Sequence, residues 1–281
     1  MQFALLGHPL GHSLSPQVHS LLARCTGAEL QYTLCDVPPQ ELPAAMPGLL
    51  GLDGFNVTIP YKGEVVPYLA RLDTSAARYG AVNTVAPSAE GPTGYNTDCT
   101  GFLRSLGDWK EGLDSVLVLG AGGVGRMFAI ECARLGTAVT LAVRESSLPR
   151  AGALAEEITA TYQVPARALL IGDAAKGDEG YSLLINATPC GMFPHLDECP
   201  APDALIERCG RVFDCIYNPD KTRLLRRAGE LQKPALGGLR MLILQAAAAQ
   251  EIWYGARFRE DQLQEIEERL AQVLRKDGSK E

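Results

Sequence analysis

Val116-Leu117-Val118-Leu119-Gly120-Ala121-Gly122-Gly123-Val124-Gly125 runs four aliphatic residues into a G-x-G-x-x-G loop. The run reads as a strand over 115–119, and the loop opens a helix to about Leu135, where Gly136 stops it. A strand before and a helix after is the context in which this loop takes a dinucleotide. Gly120 permits the tight turn, Gly122 lets the backbone approach a pyrophosphate, and Gly125 lets the helix pack on the sheet. The helix N-terminus then turns its positive dipole end to the phosphates. Ala121, Gly123 and Val124 complete the cofactor contact. The next strand, 137–143, ends at Arg144-Glu145. An acid there suits a ribose diol and an arginine suits a 2′-phosphate. Arg144 argues for NADP, with Arg150 as a second contact, and Glu145 pulls the other way.

Outward from this unit, strands and helices alternate. Strands are expected at 2–6, 31–37, 54–58, 81–86, 167–170, 183–186 and 211–216. Residues 87–94 form a turn cluster and 108–112 a connector. Helices are expected from Ser15-Pro16, over 39–50, over 100–106, and at the end over 239–254 and 262–275. Ser15 reads as the N-cap of the first, with Pro16 at its first position. The fold class is α/β with two doubly wound domains. Residues 1–99 and 236–281 form one, to which the final helices return, and residues 100–235 form a Rossmann-like dinucleotide-binding domain.

The chain has 281 residues, enough for two domains with large cores. Hydrophobic residues make up 46%, charged residues 21%, and the net charge is −7. That balance argues against nucleic-acid binding, which needs a basic surface. No apolar run of about 18 residues is present, so no membrane span is expected. The N-terminal apolar run is broken by Gly7-His8-Pro9, unlike a signal peptide. The 8 cysteines form no CxxC pair and read as reduced residues of a cytoplasmic protein. His8, His12, His19 and His195 form no metal set, and no metal is assigned.

Four polar segments stand apart. They are Gly7-His8-Pro9-Leu10-Gly11-His12-Ser13-Leu14-Ser15-Pro16, Asn56-Val57-Thr58-Ile59-Pro60-Tyr61-Lys62, Gly80-Ala81-Val82-Asn83-Thr84 and Gly94-Tyr95-Asn96-Thr97-Asp98. Several lie at or just beyond the C-terminal ends of strands, where open α/β sheets bind ligands. In this order they resemble the GxPxxHSxSPxxHN, NVTxPxK, GAVNT and NTDxxG signatures of the shikimate dehydrogenase family. The resemblance continues in Asn186-Ala187-Thr188-Pro189, in Tyr217-Asn218-Pro219, and from Gly238-Leu239 through Met241-Leu242 to Gln245. It covers nearly the whole chain. Ser20 departs from the family's usual Asn, and Val143 and Glu145 flank Arg144 where Asn-Arg-Thr or Asn-Arg-Ser is common.

The resemblance implies interconversion of 3-dehydroshikimate and shikimate, with NADPH as reductant. It implies Lys62 and Asp98 as the catalytic pair, and Ser13 and Ser15 on the substrate carboxylate. Thr58, Asn83 and Gln245 would hold ring hydroxyls, with Tyr217 also on the substrate side. Asn186, Thr188, Gly238 and Met241 would line the cofactor. The chemistry agrees, because reducing a ring ketone needs a hydride donor, a polariser with a proton source, and groups that hold the ring. Lys62 suits the carbonyl, and Asp98 can orient a ring hydroxyl and hold the ammonium. Whether Lys62 gives the proton or stabilises the alkoxide stays open, and Asp98 also reads as a helix N-cap. Two rivals remain: a quinate/shikimate dehydrogenase with NAD or dual cofactor use, and a non-catalytic metabolite sensor on the same fold. The expected partner is the small-molecule substrate, and monomer and homodimer are both open.

Overall fold

The structure, a computed structural model, describes residues 1–11 and 13–277; His12, expected in the first polar segment, and residues 278–281 lie outside the described residues. In chain order the first elements are β1 (Gln2–Gly7), α1 (Ser15–Thr26), β2 (Gln31–Asp36), α2 (Leu42–Leu50), β3 (Gly54–Val57), β4 (Arg71–Leu72), α3 (Thr74–Tyr79), β5 (Thr84–Ala86), β6 (Thr93–Tyr95) and α4 (Thr97–Leu106). Then come β7 (Ser115–Leu119), α5 (Gly123–Arg134), β8 (Ala138–Val143), α6 (Leu148–Tyr162), β9 (Ala166–Leu170), α7 (Ile171–Lys176), β10 (Leu183–Asn186), α8 (Asp203–Glu207), β11 (Val212–Asp214), α9 (Arg223–Glu230) and β12 (Ala235–Leu236). Two helices close the chain, α10 (Gly238–Tyr254) and α11 (Glu260–Asp277). Among the described residues, no helix is long and apolar enough to cross a membrane.

Two compact units result: Met1–Phe102 with Leu242–Leu270, and Leu103–Met241 with residues 271–277. The sequence places the changes at 99/100 and 235/236. In the structure they fall inside α4 and α10, because each helix runs on without a linker. A third change falls inside α11, so not all of the chain after 236 returns to the first unit.

The first unit holds a six-stranded sheet of order β2-β1-β3-β5-β6-β4. β1 pairs in parallel with β2 and β3, while β5 is antiparallel to both β3 and β6. The sheet is therefore mixed. The turn-forming residues 87–92 return the chain at once, and a short return gives an antiparallel neighbour. The expected turn cluster ends early, since Thr93 and Gly94 join β6. One core cluster joins Leu6, Phe55 and Val57 to Met46, Tyr61 and Val85. Trp253 of α10 stacks on Phe3 at 4.2 Å and donates to the Val85 carbonyl at 3.0 Å. Gly54 makes room for it, since a Cβ there would lie 2.3 Å from the indole nitrogen.

The second sheet is wholly parallel, in the order β12-β11-β10-β7-β8-β9. Counting from β7 as the first strand, this is the 3-2-1-4-5-6 order of the doubly wound dinucleotide fold. Its central strands are apolar on both faces, as burial under two helical layers demands.

Candidate active site

In the first unit the polar segments gather at one end of the sheet, where β1 and β3 finish and the antiparallel β5 begins, so Asn83 precedes its strand rather than following one. β1 and β3 lie side by side, with Leu6 opposite Val57. The Leu6 carbonyl accepts from the Thr58 N–H at 2.8 Å, and the Ile59 carbonyl accepts from the His8 N–H at 3.0 Å. The segment carrying Ser13 and Ser15 and the one carrying Thr58 and Lys62 therefore leave the same edge of the sheet. The first is clasped again by Asp36, whose carboxylate accepts from the Leu10 N–H at 3.0 Å and contacts His8 Nδ1 at 2.6 Å. The Leu10 N–H first, and His8 second, hold the Asp36 carboxyl below the usual range.

Lys62 follows β3, and its carbonyl accepts from the Val82 N–H at 2.7 Å. Its Nζ donates to Asp98 Oδ2 at 2.5 Å, with the two side chains 29% and 15% exposed. A pair so shielded from water interacts more strongly than one on the surface. The second Asp98 oxygen accepts from Asn83 Nδ2 at 2.9 Å. The same nitrogen lies 3.3 Å from Gln245 Oε1, and Gln245 Nε2 donates to the Leu242 carbonyl at 3.0 Å. Four residues singled out in the sequence thus form one hydrogen-bonded cluster.

Two capping expectations are corrected. α4 starts at Thr97, and Asn96 Oδ1 accepts from the Cys99 N–H at 3.3 Å, so Asn96 caps the helix and Asp98 is left for Lys62. α1 starts at Ser15 with Leu14 at its N-cap and no side-chain cap bond. The chain enters α1 in a helical conformation at Leu14, so Ser15 already lies inside the helix. Ser13 Oγ accepts from the Ser15 N–H at 3.2 Å. Both serines and Thr58 are half-buried.

In the second unit the glycines divide into two kinds. Gly120 has φ +97°, and a Cβ at Gly125 would meet the Gly120 carbonyl oxygen at 2.2 Å. Those two are required by the turn and by the approach of α5 to β7. A Cβ at Gly122 or Gly123 would meet nothing within 4 Å. Gly122 is the N-cap of α5, with no side-chain cap bond. First-turn N–H groups without a side-chain partner, beside open space, fit a pyrophosphate. Arg144 and Glu145 stand exposed where β8 ends, as does Arg150 at the start of α6.

Asn186 is fully buried. Its Oδ1 accepts from the Thr188 N–H at 3.0 Å and hydroxyl at 2.7 Å, and its Nδ2 donates to Asp214 at 2.9 Å. Asn186 therefore shapes the loop that presents Thr188. Asp214, which sequence reasoning missed, also accepts from the Thr222 hydroxyl at 2.6 Å and the Ile216 N–H at 3.2 Å. Burial pushes its carboxyl up to about 6 against the pull of those three donors. Tyr217 follows β11, and burial raises its phenol. Gly238 opens α10, where a Cβ would meet the Cys215 carbonyl at 2.1 Å, and Met241 is buried one turn on.

An ordered 3-2-1-4-5-6 sheet with this loop in one unit, and a shielded Lys–Asp pair in another α/β unit of the same chain, define the class: a two-unit α/β dehydrogenase. Known proteins agree. The signature of the shikimate dehydrogenase substrate binding domain matches residues 5–85. The shikimate dehydrogenase (NADP(+)) of Moorella thermoacetica is 40% identical over 264 residues, 90% of this chain and 87% of that one. The structure of Thermus thermophilus shikimate 5-dehydrogenase, in complex with NADP(H) and shikimate, is 33% identical. It superposes with TM-score 0.81 over 96% of this chain and 99% of that one. That of Listeria monocytogenes, with shikimate and NAD, gives 32%, TM-score 0.85, and 94% and 95%. The chain belongs to the shikimate dehydrogenase family.

Proposed function

We propose that this chain interconverts 3-dehydroshikimate and shikimate with NADP(H). The observation that carries the reading is the Lys62–Asp98 pair at 2.5 Å, tied to Asn83 and Gln245 in one cluster. Family membership supports it, because the relatives are NADP-dependent enzymes. NADPH supplies the hydride when bound. The Gly120–Gly125 loop, Arg144, the Thr188 loop held by Asn186, Gly238 and Met241 hold the cofactor.

Lys62 then serves the carbonyl oxygen, placing an ammonium where negative charge develops. Asp98 fixes that ammonium on one oxygen and offers its remaining acceptor capacity to a ring hydroxyl. Asn83, Gln245 and Thr58 hold the ring, with Tyr217 on the substrate side. The Ser13 and Ser15 hydroxyls donate to the carboxylate. A turnover assay with shikimate and NADP tests the proposal, and absence of turnover with both at saturation would overturn it. Equal or better efficiency with NAD would overturn the cofactor part alone. Two observations favour that outcome: Glu145 beside Arg144, whose carboxylate repels a 2′-phosphate, and the Listeria relative's structure with NAD.

A further inference from the structure

Three motif residues have no part in the site as described, namely Asn56, Thr84 and Thr97. All are buried, at 5%, 0% and 2% exposure, and none bonds Lys62 or Asp98. We propose that they form a positioning network that locks the Asn83 side chain one way round and so aims its N–H at Asp98. This rests on the reading of Lys62 and Asp98 as the catalytic pair.

The direction of the network follows from the backbone groups, which cannot change role. The Thr97 N–H can only donate, and it lies 2.6 Å from Asn83 Oδ1. The amide oxygen must therefore face Thr97. The amide nitrogen is left facing Asp98 Oδ1 at 2.9 Å, Thr97 Oγ1 at 3.0 Å and Gln245 Oε1 at 3.3 Å. The Asn83 carbonyl can only accept, and Asn56 Nδ2 donates to it at 3.1 Å. That nitrogen also donates to Thr84 Oγ1 at 3.0 Å. The Thr84 proton must then point onward, to Thr97 Oγ1 at 3.0 Å or Asn83 Oδ1 at 3.2 Å.

The far end is fixed as well. Asn56 Oδ1 accepts from the Tyr32 hydroxyl at 2.8 Å. Burial pushes the Tyr32 phenol well above its ordinary value, so it stays a donor. The His19 ring stacks on Tyr32 at 4.2 Å. Donors thus run in one sense, from Tyr32 through Asn56 and Thr84 toward Thr97 and Gln245. A flipped Asn83 amide would set oxygen against the Asp98 carboxylate and against Gln245 Oε1, while the Thr97 N–H lost its acceptor. The Thr97 N–H sets the amide's sense, and the two threonine hydroxyls bracket its oxygen and hold its position.

The test removes the bracket and keeps the shape. In the full chain, Thr84→Val combined with Thr97→Val should lower kcat about tenfold, a small displacement of a binding group being enough. KM for NADP should not change. Thr84→Ser combined with Thr97→Ser keeps both hydroxyls and should restore kcat. In an Asp98→Asn background the valine pair should cost little more, because residues acting through one another are not additive. Wild-type kcat in a folded valine variant, or an undiminished loss in the Asp98→Asn background, would overturn the proposal. If the valine pair does not fold, Thr84→Val and Thr97→Val singly should each show a several-fold loss, and wild-type kcat in both would overturn it equally. Normal turnover in Lys62→Ala and Asp98→Asn would instead sink the reading of the catalytic pair, whatever the threonine variants do.

Discussion

In the first unit the candidate chemistry is carried by side chains from separate elements: Lys62 after β3, Asn83 before β5, Asp98 on α4 and Gln245 on α10. In the second unit the Gly120–Gly125 loop is one contiguous run that offers backbone. The first site is held by hydrogen bonds among side chains. The second is held by the absence of side chains, and only Gly120 and Gly125 are absent for the fold's sake. A site of the first kind fails when one group is lost, and a site of the second kind when one group is added.

Lys62→Ala breaks the comparison on the first side most severely. Turnover should fall by several orders of magnitude while shikimate binding changes little, because the ammonium acts on charge that develops only in the transition state. Steady-state kinetics at saturating shikimate check this. On the second side, Gly125→Ala should destabilise by about 3 kcal/mol or more, since its Cβ meets backbone that cannot yield. Gly122→Ala should cost at most about 1 kcal/mol, the penalty of alanine at an N-cap, and raise the KM for NADP about tenfold or more, because its Cβ meets no protein atom and stands in the ligand's way. If both variants melted alike, the two glycines would not differ in kind.

Ser13→Ala and Ser15→Ala should raise the KM for shikimate, each lost bond to a charged group being worth about 1.5–3 kcal/mol. Only Ser13→Ala should also lower the melting temperature, since Ser13 Oγ accepts from the Ser15 N–H and Ser15 caps nothing. A comparable loss from Ser15→Ala would contradict the cap geometry. Asp214 contributes a pH dependence. Its carboxyl binds a proton more tightly in the folded chain, near pH 6, than in the unfolded one. Its favourable term is complete below about pH 4 and is lost as pH rises through 6. Asp214→Asn should remove this slope, visible as melting temperature against pH, and an unchanged slope would assign it to another group. The smallest effect is at Arg144 and Glu145, both exposed. Glu145→Thr should lower the KM for NADP a few-fold and leave NAD nearly unchanged, while Arg144→Ala weakens NADP selectively. The ratio of kcat/KM for the two cofactors measures both.

What could be read in the sequence follows the same division. The loop of the second unit is contiguous, so its strand, glycines and helix are legible in one glance along 115–135. Lys62, Asn83, Asp98 and Gln245 are legible as motif residues, but their mutual contacts span up to 162 positions and no local pattern encodes them. Thr84 and Thr97 look like ordinary strand and helix-entry threonines. The helix α6 goes unread because two of its four buried positions, Ala151 and Ala155, give little apolar contrast. β4 and β12 have 2 residues each, too few to show a period. Asp214 reads as a lone charged residue within the expected strand 211–216, and only the fold reveals that three donors converge on it.

The β5–β6 hairpin behaves as a caliper. Its handle is the turn of residues 87–92, and its jaws are Asn83 just before β5 and Asp98 just after β6. The pairing of Thr84 with Tyr95 and Val85 with Gly94 sets the gap between the jaws. Lengthening the handle by several residues costs only a little closure entropy and leaves the gap alone. A slip of one residue along the jaws turns every side chain of β6 to the opposite face. It would carry Asp98 away from both Asn83 and Lys62. The turn can therefore drift in length and composition between relatives, while the count of residues from Asn83 to Thr84 and from Tyr95 to Asp98 is fixed by the chemistry at the tips.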